Sequence, residues 1–135
     1  MRRNSKTLNR IVAAVMTASA LIALPSLAVA EGLAGSWRGN GSVVLPSGAT
    51  EKARCRVSFS KQGGRSYAMN AVCASSSVRV SQTASLQQVG ANRFVGEFIN
   101  NEYGITGSIN LTLSGSSVSA ALHGGGGSAF FNLNR

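Results

Sequence analysis

The sequence predicts an all-β domain: a single antiparallel meander of about eight strands over residues 31–135, preceded by a cleaved signal peptide at 1–30. The meander would close into a small up-and-down barrel or, as the alternative, press into a β-sandwich. Three observations lead there. From Leu33 onward no window places apolar residues at i, i+3, i+4 and i+7 over three turns, whereas Val, Ile, Phe, Thr and Ser recur with period two, the spacing that sends successive side chains to opposite faces of a strand. The alternating runs are separated by short breaks rich in Gly, Ser and Asn, too short for the crossover that parallel strands require. Closure is favoured because it removes the two exposed edges that an open sheet would leave.

In chain order, residues 1–10 carry Arg2, Arg3, Lys6 and Arg10 without an acid, residues 11–24 are apolar, and Ala28-Val29-Ala30 comes shortly after. A basic start, a short apolar run and a small-x-small site make a secretory signal, with cleavage predicted after Ala30. The apolar run is shorter than the roughly 20 residues of a spanning helix, and Pro25 interrupts it. The mature chain is therefore expected to be periplasmic or secreted, with no transmembrane segment. Four of the 13 basic residues leave with the signal while Glu31, Glu51, Glu97 and Glu102 stay, so the formal charge falls from +9 to +5. That excess attracts anionic surfaces without selecting one.

A first strand over 35–45 places Val43 and Leu45 in one phase, and Pro46-Ser47-Gly48 turns into the stretch 50–73 that organises the domain. There Cys55, Val57 and Phe59 alternate with Lys52, Arg54, Arg56, Ser58 and Ser60, and the partner strand carries Tyr67, Met69, Ala71 and Cys73 in one phase. A turn centred on Gly64 sets Phe59 against Met69, Val57 against Ala71 and Cys55 against Cys73. The two thiols then meet on the apolar face, while Lys52, Arg54 and Arg56 form a basic stripe on the other. In an exported chain this pair reads as a disulfide, since there is no C-x-x-C and only His123 to complete a metal site. Closing such a loop would stabilise a domain this small by roughly 3 kcal/mol.

Residues 78–89 come next, with Val78, Val80 and Leu86 on one face and Arg79 pointing away; residues 93–100 are apolar on both faces, through Phe94 and Phe98 on one and Val95 and Ile99 on the other. A hairpin loop over 100–104 leads to the cleanest alternation in the chain, Ile105, Gly107, Ile109, Leu111 and Leu113. Val118, Ala120 and Leu122 make a short strand, Gly124 to Gly127 a flexible connection, and Ala129, Phe131, Leu133 and Arg135 an eighth segment.

Enzyme chemistry needs converging titratable groups, and the mature chain offers no Asp, four Glu and one His. A Ser-His-Asp triad is excluded, nothing sets two carboxylates at a glycosidase spacing, and metal binding fails the ligand count. The glycine run lacks the Lys and the helix of a phosphate loop. No enzyme activity and no cofactor are expected. Nucleic acid is not an expected partner, because no aromatic shares the outward phase of the basic strand to stack bases.

Gly35-Ser36-Trp37 resembles the G-x-W of calycins, the superfamily of lipocalins, fatty-acid-binding proteins and avidins. The resemblance implies that Trp37 plugs one end of a barrel and that a basic residue from the last strand, Arg135, lies across it. Within that superfamily the run Leu33-Ala34-Gly35-Ser36-Trp37 is similar to the opening of the periplasmic metalloprotease inhibitors of Gram-negative bacteria, which also carry one disulfide. The pattern Gly35-Ser36-Trp37-Arg38-Gly39-Asn40-Gly41 followed by Arg54-Cys55-Arg56-Val57 resembles a set of short exported proteins of Gram-negative bacteria with no assigned function.

The functional expectation is an exported, non-enzymatic binding protein. Lys52, Arg54 and Arg56, joined by Arg38 and Arg79, would hold an anionic envelope glycan, a lipid headgroup or an acidic protein by charge-assisted hydrogen bonds. The first alternative is a calycin-like protease or hydrolase inhibitor in which residues 31–34 enter the target's cleft. The second is a small carrier of an apolar ligand, which requires a hollow barrel although Phe59, Met69, Phe94, Phe98, Leu111, Phe131 and Leu133 compete for the interior.

Overall fold

A computed structural model describes residues 32–135, together with residue 14 and residues 17–22. The basic start of the chain and the cleavage site expected after Ala30 lie outside the described residues. No helix among the described residues is long and apolar enough to cross a membrane.

Eight strands run in order: β1 (Gly35–Val44), β2 (Thr50–Gly63), β3 (Ser66–Ser75), β4 (Arg79–Gln88), β5 (Arg93–Asn100), β6 (Ile105–Ser114), β7 (Ser117–Gly124) and β8 (Gly127–Asn134). Each pairs antiparallel with the next, and β8 returns to β1, so the sheet closes into a barrel rather than a sandwich. Period-two alternation sorts the side chains. On β2, Ala53, Cys55, Val57 and Phe59 are buried while Lys52, Arg54, Arg56 and Ser58 face solvent. On β6, Ile109, Leu111 and Leu113 point inward between exposed Asn110 and Thr112.

The β2–β3 register pairs Phe59 with Met69, Val57 with Ala71 and Cys55 with Cys73. Directly opposite residues in an antiparallel pair lie close enough for their side chains to bond. The two cysteines, 4.1 Å apart at Cα, form the disulfide. Beyond them a bulge between Lys61 and Gly63 adds one residue to β2, which increases the local twist of the hairpin as it leaves the barrel wall.

Closure depends on glycines inside strands. A Cβ on Gly39 would lie 1.8 Å from the carbonyl oxygen of Asn132, and one on Gly96 would lie 1.9 Å from that of Ser85. At these positions the neighbouring backbone occupies the space a side chain would need, so only glycine lets the strands approach this closely. The run Gly124 to Gly127 also differs from the flexible connection that composition suggests. Gly124 pairs with Gly127, and Gly125 and Gly126 take φ of 60° and 78°. This is a two-residue hairpin turn with positive φ at both central positions, which glycine adopts without steric cost.

The two ends of the barrel are unlike. At the end where β1 begins, Trp37 is buried and its indole N–H donates to the Leu33 carbonyl at 2.8 Å. Leu33 has no exposed surface. The Arg135 guanidinium stands 4.3 Å from the centroid of the Trp37 ring and donates to the carbonyls of Ala34, at 3.2 Å, and of Gly32. Just inside, Tyr67 and Phe94 meet edge to face with centroids 5.2 Å apart. Of the arm assigned to an inhibitory role, residues 32–34 are thus pinned across the barrel end. Their carbonyls accept from the Trp37 indole and the Arg135 guanidinium.

Candidate functional site

The inward-facing residues are distributed unevenly by size. Toward the Trp37 end they include Phe59, Tyr67, Met69, Leu86, Phe94 and Leu111, which fill the cross-section. Toward the other end they include Gly41, Ala53, Cys73, Val80, Gly124 and Ala129. Small side chains at the same barrel radius leave space. A cavity of about 280 Å³ opens there, lined by Val43, Val80, Phe98, Ile105, Ala129 and Phe131 among others. Its rim is apolar as well. Val44, Leu45, Val78 and Tyr103 are all partly exposed and belong to the strand ends and turns around the opening.

Five polar side chains enter this apolar lining. The half-buried carboxylate of Glu51 lies at the rim and accepts the Ser77 hydroxyl, at 2.9 and 3.0 Å to its two oxygens. Ser75 and Ser128 stand near the mouth. Gln82 and Asn100 are directly opposite one another on β4 and β5. No Lys, Arg or His lines the cavity. The disulfide contributes to its wall through Cys73, and a void of about 20 Å³ lies deeper, between Cys55, Met69, Ile109 and Leu133. The interior is therefore filled at the plugged end and hollow at the open one.

The basic residues named from the sequence occupy the outer face of β1 to β4. Arg38 is directly opposite Arg56, Asn40 lies between β8 and Arg54, and Arg79 stands across Ala74 from Arg54. Arg38, Arg54, Arg56 and Arg79 share one shallow depression of about 540 Å³ with Asn40 and Asn134, and Lys52 joins Arg54 in an adjoining one. Like charges directly across a strand pair destabilise a sheet. No acidic side chain lines either depression. Arg135 borders the same depression while its guanidinium caps Trp37, which belongs to the plug.

Gln82 is the residue that the sequence pattern could have revealed and did not. It sits in the phase of Val80, Ala84 and Leu86, which makes it a polar side chain on the core face of β4. The hollow itself had a signal too, in the Gly and Ala of the inward phase near the open end. Among the described residues no group of three or more His, Cys, Asp and Glu side chains gathers to hold a metal.

No family model matches the chain, and no curated protein matches it. Solved structures do. A redesigned β-barrel, mFAP1, bound to DFHBI superposes with a TM-score of 0.65 at 12% identity, over 76% of this chain and 94% of that one. A de novo designed fluorescence-activating β-barrel gives a TM-score of 0.60 at 16% identity, over 78% of this chain and 95% of that one. At such identities the likeness is one of fold: an eight-stranded up-and-down barrel.

Proposed function

We propose that the protein is a non-enzymatic binding barrel that holds a small, largely apolar molecule in the cavity at its open end. One observation carries this reading: the barrel is plugged at one end by Trp37, Leu33 and Arg135 and hollow at the other, where about 280 Å³ is walled by Val, Ile, Phe and Ala side chains. Transfer of apolar surface out of water into such a space is favourable at roughly 25 cal/mol per Å², and even an apolar cavity of about 150 Å³ admits benzene. The fold tolerates small-molecule occupancy, since the mFAP1 barrel is bound to DFHBI. The test is titration with 1-aminoanthracene, a neutral fluorophore that brightens in apolar surroundings. Ala53 is buried and lines the cavity, so Ala53→Leu should reduce binding more than tenfold with little change in melting temperature. Absence of binding to the wild-type barrel, or equal binding by the variant, would refute the proposal.

A second reading is carried by the cluster of Arg38, Arg54, Arg56 and Arg79, with Lys52 beside it. Guanidinium groups alternating with the amides of Asn40 and Asn134 suit a multiply charged anion such as an envelope glycan or a lipid headgroup. A signal peptide at 1–30 and a disulfide would place the domain where such partners are found. Retention on isolated envelope fractions that falls with added salt, and is lost in Arg54→Ser with Arg56→Ser, supports this reading; retention by the double variant counts against it. The cavity and the basic face lie on different parts of the barrel and can serve together.

A further inference from the structure

Within the cavity, the two facing amides differ in what they can offer. The Asn100 side chain is 4% exposed, and its oxygen accepts the backbone N–H groups of Glu102, at 3.1 Å, and Tyr103, at 3.3 Å. Those two donors fix which end of the amide is oxygen. The remaining end is an NH₂ with donors only. Among the described residues this NH₂ has no hydrogen-bond partner, yet it is not sealed off, because no buried side-chain nitrogen or oxygen lacks a partner. Gln82, half-buried and opposite Asn100, likewise makes no side-chain hydrogen bond among the described residues. It lines both the open-end cavity and the small void beneath it, so it sits at the cavity floor.

We infer that Gln82 and Asn100 form a polar anchor that selects a neutral ligand carrying a hydrogen-bond acceptor, a carbonyl or ether oxygen on an otherwise apolar molecule. This rests on the cavity reading above and adds the chemistry of its occupant. An apolar wall leaves the ligand's oxygen no other partner, and a buried acceptor without one forfeits its hydration. Asn100 presents N–H groups, and Gln82 can rotate its amide to do the same. An anion is disfavoured. No cation lines the cavity to compensate its desolvation, and the Glu51 carboxylate stands at the rim. The site therefore discriminates against fatty-acid-like carboxylates and accepts ketones, esters and ethers.

The experiment is a binding cycle read by amide chemical shifts, with acetophenone, its hydrocarbon analogue cumene, and benzoate. Gln82→Met keeps the approximate volume and removes the amide, and Gln82→Leu is the second variant should that one fold poorly. In each variant the affinity for acetophenone relative to cumene should fall about tenfold, the equivalent of one hydrogen bond to a buried acceptor. Cumene itself should bind as well as to wild type or better, and benzoate should be the weakest ligand of the wild-type barrel. An unchanged acetophenone-to-cumene ratio in both variants, or tightest binding by benzoate, overturns the anchor while leaving the cavity intact. Failure of both acetophenone and cumene to bind wild type overturns the cavity reading on which it rests.

Discussion

Replacing Arg56 by Glu should make the barrel more stable and a weaker binder of anions. Arg56 faces Arg38 directly across the β1–β2 pair, where Cβ atoms lie about 5 Å apart. Long side chains splay, so a charge separation of about 6–7 Å is reasonable for that spacing. At the dielectric of water two like charges at this distance repel by roughly 0.6 kcal/mol. Arg56→Glu turns that repulsion into an attraction of similar size, a swing of about 1 kcal/mol at low ionic strength. For a domain of about 100 residues this corresponds to a rise in melting temperature of about 4–8 °C. In 1 M salt, where screening acts within about 3 Å, most of the rise should disappear. Arg56→Gln should give about half of it. The assay is a thermal melt of the three proteins at low and high salt, paired with retention on an anionic matrix. A melting temperature that fails to rise in Arg56→Glu at low salt, or a rise that persists undiminished at high salt, would refute the electrostatic account of this face.

Other perturbations address the scaffold. Trp37→Ala empties the plugged end and should cost about 3–5 kcal/mol in chemical denaturation, whereas Arg135→Ala, which removes the cation from the ring face, should cost about 1 kcal/mol; equal effects would mean that the plug acts mainly through its charge. The Cys55→Ala, Cys73→Ala double variant releases a cross-link of sequence separation 18, with an expected loss of about 3 kcal/mol and an unchanged strand content by circular dichroism. Gly39→Ala sets a methyl against the Asn132 carbonyl and should destabilise by about 1–3 kcal/mol. Gly90→Ala, whose nearest neighbour would be Arg93 Cβ at 3.8 Å, should be close to neutral.

Much of this fold was legible in the sequence because a strand half-buried in water must alternate. The register of β2 on β3 followed from the apolar phase and the glycine turn, and it brought Cys55 to Cys73. Barrel over sandwich was favoured in the sequence by the edge argument alone. Alternation looks the same in both, and closure is decided by positions such as Gly39 and Gly96, where the requirement is the nearness of another backbone and not the residue's own preference. The hollow had a signal in its small inward residues, but reading it required the register that stacks them at one height. Naming Phe59, Phe94 and Leu111 as interior residues says nothing about their height along the barrel, and only the three-dimensional stacking separates a filled half from an empty one. The basic stripe of β2 was legible from its alternation, and Arg38 and Arg79 were named with it; their position beside it follows from which strands flank β2 and β3.

The seam between β1 and β8 has a consequence for how the molecule is assembled. Seven of the eight strand pairings join neighbours in the chain and can form as local hairpins, but the eighth matches Arg38 with Asn134 and Val44 with Ser128. It forms only when segments far apart in sequence meet, which makes it slow relative to hairpin closure. Until then the sheet is a curled ribbon with two unsatisfied borders. In that interval a second copy offers the same pair of borders, and the β8 of one can complete the β1 of the other. Crowded refolding should therefore yield strand-exchanged dimers joined at this seam, while dilute refolding yields the single closed ring.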